Sequence, residues 1–158
     1  MKKRRRKDDS WDGTERRSAA VVLIVNDDPD ACEMLVRMIG ARGFHTVGAT
    51  TPDDATGRLV SDLPRCVVLD LETGGIGTSL NVLDLIRSHD DKRVSGARVV
   101  LCASNARNRS FCYQSGTDSF VLRPFHIDEL VAQIQEVLGR PDKERSRHRR
   151  DELARLGG

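Results

Sequence analysis

Residues 21–25 form an unbroken apolar run, "VVLIV", that stops abruptly at Asn26, Asp27 and Asp28. A strand with one face in water alternates apolar and polar side chains, whereas a run without alternation is buried on both faces. Such a strand belongs in a parallel sheet covered by helices on either side. The pattern returns at "CVVLD" (66–70), "ARVVLCAS" (97–104) and "SFVL" (119–122), with a weaker run at "FHTVGAT" (44–50). Helical signals lie between them. Asp28 is placed to cap a helix and Pro29 to open it, and Cys32, Leu35, Val36 and Ile39 then repeat at i, i+3, i+4 and i+7 up to a stop at Gly43. Thr51 and Pro52 start a second, weak helix that contains Gly57, with Asp53 and Asp54 as first-turn charges. "LNVLDLIRSH" turns Val82, Leu83 and Ile86 inward, and "NRSFCYQSG" is a short helix. "HIDELVAQIQEVLG" places Ile127, Leu130, Val131, Ile134 and Leu138 on one side before Gly139 and Pro141 end it. Five strands alternating with five helices predict a single α/β domain over residues 20–139.

Charge sets that domain apart from its flanks. The chain of 158 residues carries a net +2, but residues 1–20 hold +4, residues 139–158 hold +3 and the stretch between them −5. The expected organisation is a basic, disordered tail over 1–19, the α/β domain, and a basic C-terminal tail over 140–158 that is either disordered or a frayed helical extension. The start has no apolar segment behind its basic residues, and no run is long enough to span a membrane, so a cytoplasmic location is expected. Cys32, Cys66, Cys102 and Cys112 form no CxxC pair and sit in apolar or helical stretches, as reduced thiols do. His45, His89, His126 and His148 show no metal-ligand spacing. Aromatic residues are few, which argues against base stacking as a main activity.

Open parallel sheets bind ligands beyond the carboxyl ends of their strands. Asn26, Asp27 and Asp28 end the first run, Asp70 the third, Cys102, Ala103 and Ser104 the fourth, and Arg123 and Pro124 the fifth. Carboxylates from two strands therefore converge with a guanidinium beside them. Hard oxygens so placed suit Mg²⁺, which takes one or two carboxylates plus waters and phosphate oxygens. No Gly-rich dinucleotide loop and no hydroxyl-rich flavin loop follows the first strand.

In the order and spacing of "LIVNDDPD", "VVLDL" and "VLRPF", the chain from about 20 to 139 resembles a response-regulator receiver domain, the phosphoacceptor of two-component signalling. The resemblance implies a three-layer flavodoxin-like (βα)5 sandwich with parallel strand order 2-1-3-4-5. It implies that Asp70 takes the phosphoryl group. Mg²⁺ would be held by Asp27, Asp70 and the backbone carbonyl of Glu72. Asn26 would stand at the first position of the acidic pair, Cys102 and Phe120 at the switch positions, and Arg123 at the cation that pairs with the phosphoryl group. The bond before Pro124 is implied to be cis. The implied partners are a histidine kinase or phosphotransfer protein as donor, and a downstream protein reading the face made by the fourth predicted helix, the fifth strand and the fifth predicted helix.

Several residues depart from that pattern. Asn26 removes one acid from the metal site. Cys102 replaces a hydroxyl by a weak thiol donor, and acidic neighbours make it a buried filler rather than a redox thiol. Arg123 replaces a compact lysine charge by a planar fork. The loop "LETGGIGTSL" lacks the usual proline and runs one residue longer. Three functions follow as expectations. The first is a stand-alone, Mg²⁺-dependent, non-enzymatic receiver phosphorylated on Asp70, since no helix-turn-helix of adequate length follows residue 139. The second is a pseudo-receiver that works without phosphate, with Arg123 bridging Asp27 and Asp70 in place of the metal. The third is a binder of nucleic acid or an anionic membrane surface through "KKRRRK" and "RSRHRR".

Overall fold

The structure, a computed structural model, describes residues 20–157. The expected tail over 1–19 lies outside the described residues. Strands β1 (Val21–Val25), β2 (His45–Ala49), β3 (Cys66–Asp70), β4 (Arg98–Ala103) and β5 (Ser119–Leu122) form one parallel sheet in the order β2-β1-β3-β4-β5. Between and after them run α1 (Pro29–Gly40), α2 (Pro52–Ser61), α3 (Ile76–Arg87), the four-residue α4 (Lys92–Ser95), α5 (Arg109–Gln114), α6 (Ile127–Gly139) and α7 (Asp142–Gly157).

The unbroken apolar runs are explained by two separate cores. Leu23, Val25, Val67, Leu69, Val99 and Leu101 pack on one side of the sheet with α2, α3 and α5. Val22, Ile24, Val68, Val100 and Val121 pack on the other with α1 and α6. Neighbouring residues thus point into different cores, and polar alternation would be penalised on both faces. The predicted caps are in place. Asp28 accepts from the Asp30 and Ala31 N–H groups with Pro29 opening α1, and Thr51 accepts from Asp54 N–H. His126 caps α6, with Glu129 reaching back to the His126 N–H.

For the C-terminal segment the sequence leaves two alternatives open, disorder or a helical extension. Residues 142–157 form a four-turn helix, and it packs on the domain along α5. Arg145 is only 9% exposed, and Asp118, at the foot of β5, only 1%. Asp118 accepts from Arg145 Nε at 2.9 Å, from Arg87 at 2.8 Å, from Arg149 at 3.3 Å and from the Val99 N–H at 2.9 Å. Arg145 also donates to the Gly96 and Ala97 carbonyls. A buried carboxylate is tolerated when its lone pairs are filled and its charge is matched, and arginines from α3 and α7 do both. Arg98 ties the joint between α6 and α7 by donating to the Val137 and Arg140 carbonyls and pairing with Asp142.

Burial alone would raise the Asp118 pKa, but the Arg145 hydrogen bonds and the charges of Arg87 and Arg145 hold it below the ordinary carboxylate value. A depressed native pKa contributes stability above the unfolded value, about 3.9 for Asp, and that contribution is lost as pH falls through the native value. Urea unfolding from pH 6 downward is therefore expected to show an acid limb that Asp118→Asn flattens. An unchanged limb in that variant would contradict the assignment. Among the described residues, no helix is long and apolar enough to cross a membrane.

Candidate functional site at the carboxyl rim of the sheet

Asp70, 7% exposed, is the last residue of β3. One of its oxygens is bonded by Arg123 from the loop after β5. The other lies 3.5 Å from the Thr73 hydroxyl. The second arm of the Arg123 fork binds Glu72, two residues past Asp70. Glu72 accepts in turn from the Ser104 hydroxyl at 2.6 Å and the Ser104 N–H at 3.3 Å, beyond β4. Three strand ends are thereby linked through one guanidinium and two carboxylates.

Asp27 meets the same loop from β1. Its N–H donates to Thr73 Oγ1 at 3.1 Å, and its carboxylate accepts from Gly74 N–H at 3.0 Å. Gly74 and Gly75 both have positive φ, +67° and +95°, which lets the longer loop turn back far enough to present that N–H. Ser79, at the start of α3, pins the loop from below by donating to the Asp70 carbonyl at 2.9 Å and the Thr73 carbonyl at 2.8 Å. Asn26 borders the pocket beside Asp70, and its Oδ1 accepts from Asp28 N–H at 2.9 Å in a local turn. The Arg123–Pro124 bond is cis.

Electrostatics follow from burial. Enclosure raises the Asp70 pKa, helped by the charges of Glu72 and Asp27, while the hydrogen bond and charge of Arg123 pull it back. The Ser104 hydrogen bond comes first among the effects that hold Glu72 below the usual carboxylate range. Cys102 is buried on β4, and burial together with the Asp70 charge pushes its thiol up to about 12, so it is an inert, protonated filler. An apolar pocket of about 140 Å³ opens beside Asp70, walled by Met34, Leu35, Val68, Cys102 and Phe125. Its apolar walls leave the carboxylate few polar neighbours on that side. Phe120 points inward under the Arg109 guanidinium, 5.1 Å from the ring centroid.

The site thus brings Asp27, Asp70, Glu72 and Arg123 to one rim. Arg123 bridges Asp70 and Glu72, not Asp27 and Asp70, and the Asp27 carboxylate accepts from the Gly74 N–H. Three contributors lack a strong sequence signal: the hydroxyls of Thr73, Ser79 and Ser104. The acid two residues past Asp70 was legible as a carbonyl position, but its side chain is what meets Arg123. As a donor set for a divalent cation, Asp27, Asp70 and the Glu72 carbonyl are hard oxygens of the right kind for Mg²⁺. With Asn26 in place of an acid, no group of three His, Cys, Asp or Glu side chains arranged for a metal occurs among the described residues.

A parallel five-stranded sheet in this order, with an aspartate ending its central strand and a cation and a second acid beside it, is the arrangement of a receiver domain of two-component systems. The chain belongs to the response regulator receiver domain family, whose model matches residues 22–135. It is 29% identical over 125 residues to the DNA-binding response regulator MtrA of Mycolicibacterium smegmatis, covering 78% of this chain and 52% of that protein. It is 27% identical over 119 residues to the phosphate regulon transcriptional regulatory protein PhoB of Klebsiella pneumoniae, covering 75% and 52%. The chain therefore spans about half the length of these curated relatives. Among solved structures, the response regulator TrrA of Thermotoga maritima, in complex with Mg²⁺ and BeF, superposes with a TM-score of 0.65 at 25% identity over 75% of this chain and 98% of that one. Receiver domains of this family bind Mg²⁺ at the position that is phosphorylated.

Proposed function

We propose that this chain accepts a phosphoryl group on Asp70 from the phosphohistidine of a histidine kinase or phosphotransfer protein, and signals by protein contacts on its α5–β5–α6 face. The observation that carries this is the Asp70 carboxylate itself: it ends the central strand, is cationically paired by Arg123, and lies beside Asp27 at the rim. An Asp70 oxygen attacks phosphorus, the P–N bond to the donor imidazole breaks, and its electron pair returns to the ring nitrogen. The product is a mixed acyl phosphate. Arg123 neutralises charge on the transferring group, and Asp27, Asp70 and the Glu72 carbonyl would be the donors for the cation. Bound Mg²⁺ would supply charge neutralisation of the phosphoryl oxygens. Nothing in this scheme is turned over, so the chain acts as an acceptor rather than an enzyme.

Incubation of the purified chain with acetyl phosphate and Mg²⁺ is expected to add one phosphoryl group, read by intact mass, and none to Asp70→Asn. An unlabelled wild type would contradict this reading.

A second reading is favoured by the Arg123 bridge to Asp70 and Glu72, with Glu72 anchored on Ser104. In it the rim is a permanent internal ion network and the domain an interaction module that needs no phosphate. Mg²⁺ titration followed by amide NMR separates the two: shifts at Asp27, Asp70 and Glu72 support the acceptor, and their absence supports the closed network. Binding of polyanions through the C-terminal basic segment loses support, because Arg145 and Arg149 are committed to Asp118.

A further inference from the structure

β5 is an edge strand, and α7 lies beside it along α5. The inward side of α7 is written in Arg145, Arg149, Leu153 and Leu156, spaced at i, i+4, i+8 and i+11. The two arginines seat on Asp118. Further along, His148 meets Tyr113 of α5 edge-on at 6.4 Å, and Leu153 and Leu156 pack, partly buried, against the core that contains Tyr113 and Phe120. Between α7 and β5 there remains a polar cleft of about 240 Å³, bordered by Phe120, Arg109, Glu152 and Arg155. The helix is thus held at its N-terminal half by charge and at its C-terminal half by two leucines over a wet cleft.

This mode of attachment is reversible by its chemistry. Leaving the domain returns Arg145 and Arg149 to water and uncovers Leu153 and Leu156, which are only partly buried in the packed state. Asp118 keeps Arg87 and the Val99 N–H as partners. Ion pairs that give up as much hydration as they gain in attraction hold geometry more than they add stability. The connection to α6 is only Arg140 and Pro141, so the departed helix stays within reach of its seat.

We propose that the α5–β5–α6 face is a receptor for a helix with arginines four residues apart followed by leucines four and seven residues further on, that α7 is its resident intramolecular occupant, and that an output partner reads this face by displacing α7. The role of the partner rests on the functional reading above; the occupancy by α7 does not.

The test uses the full-length chain and a fluorescent synthetic peptide of residues 140–158. Arg145→Ala/Arg149→Ala is expected to free the seat, so that the peptide binds this variant at least about tenfold more tightly than wild type, where the tethered helix competes at an effective concentration on the order of millimolar. Leu153→Asp/Leu156→Asp, which leaves the arginine seat intact, is expected to open it as well. Equal binding to wild type and variants, or no binding to a variant whose β1, β3 and β4 amides remain protected from exchange, would overturn the proposal. Should both variants fail to fold, hydrogen exchange of the wild type decides: α7 amides are expected to exchange at least about tenfold faster than those of β1 and β3 by opening locally. Exchange of α7 only with global unfolding would overturn the proposal. Acetyl phosphate is absent throughout, so a chain that is never phosphorylated leaves this outcome unaffected.

Discussion

Asp118→Ala is expected to lower the unfolding free energy by about 3–5 kcal/mol, the usual cost of removing one partner from a buried ion pair. The carboxylate is 1% exposed and receives Arg87, Arg145 and Arg149. Its loss leaves guanidiniums from α3 and α7 facing one another with no compensating charge, and leaves the Val99 N–H without its acceptor. For a domain of this size that amounts to a fall in Tm of roughly 10 °C. Asp118→Asn keeps an acceptor for Val99 but not the charge, so it is expected to fall between wild type and the alanine variant. Urea denaturation at neutral pH checks the order. Equal stability of wild type and Asp118→Ala would show that the arginines were satisfied by the carbonyls of Ser95, Gly96 and Ala97 alone, which also accept from Arg87 and Arg145.

Arg123→Ala is expected to slow acetyl-phosphate labelling of Asp70 by about 100-fold, the scale for removing one donor aimed at developing charge in an enclosed site. The guanidinium is the cation in direct contact with the Asp70 carboxylate, and both groups border the apolar pocket at the rim. Arg123→Lys separates two roles. A lysine restores the point charge toward Asp70 but cannot fork to Glu72 at the same time. If the fork restrains the site, the lysine variant will label faster than wild type; if charge alone matters, it will label at the wild-type rate. Loss of labelling in the lysine variant would contradict both.

Much of the fold was written in the chain because burial on both faces of a sheet leaves a strong mark. β1 and β3 read as central parallel strands, and Asp28, Pro29 and Thr51 mark the starts of the helices after β1 and β2 by local chemistry. The rim was legible for a related reason: parallel strands all deliver their carboxyl ends to the same side. α7 was anticipated only as one alternative, a frayed extension, and its packing was not legible, since its inward positions include arginines and a hydropathy pattern counts them as surface. Its partner Asp118 stands in "SGTDSF", where an aspartate reads as a turn residue. Only tertiary contact between segments far apart in sequence reveals that the two charges bury each other. The same holds for Glu72, whose side chain acquires a role only when β5 brings Arg123 across β4 to meet it. Where chemistry is local, sequence sufficed; where a polar residue is buried by a distant one, it did not.

The most direct measurement is a crystal structure of the chain grown with Mg²⁺ and beryllofluoride. A beryllofluoride group on an Asp70 oxygen, with Arg123 released from Glu72 to contact a fluorine, is the predicted result. Crystals in which Asp70 carries no adduct and Arg123 still joins it to Glu72 would contradict the phosphoacceptor account and leave the closed ion network in its place.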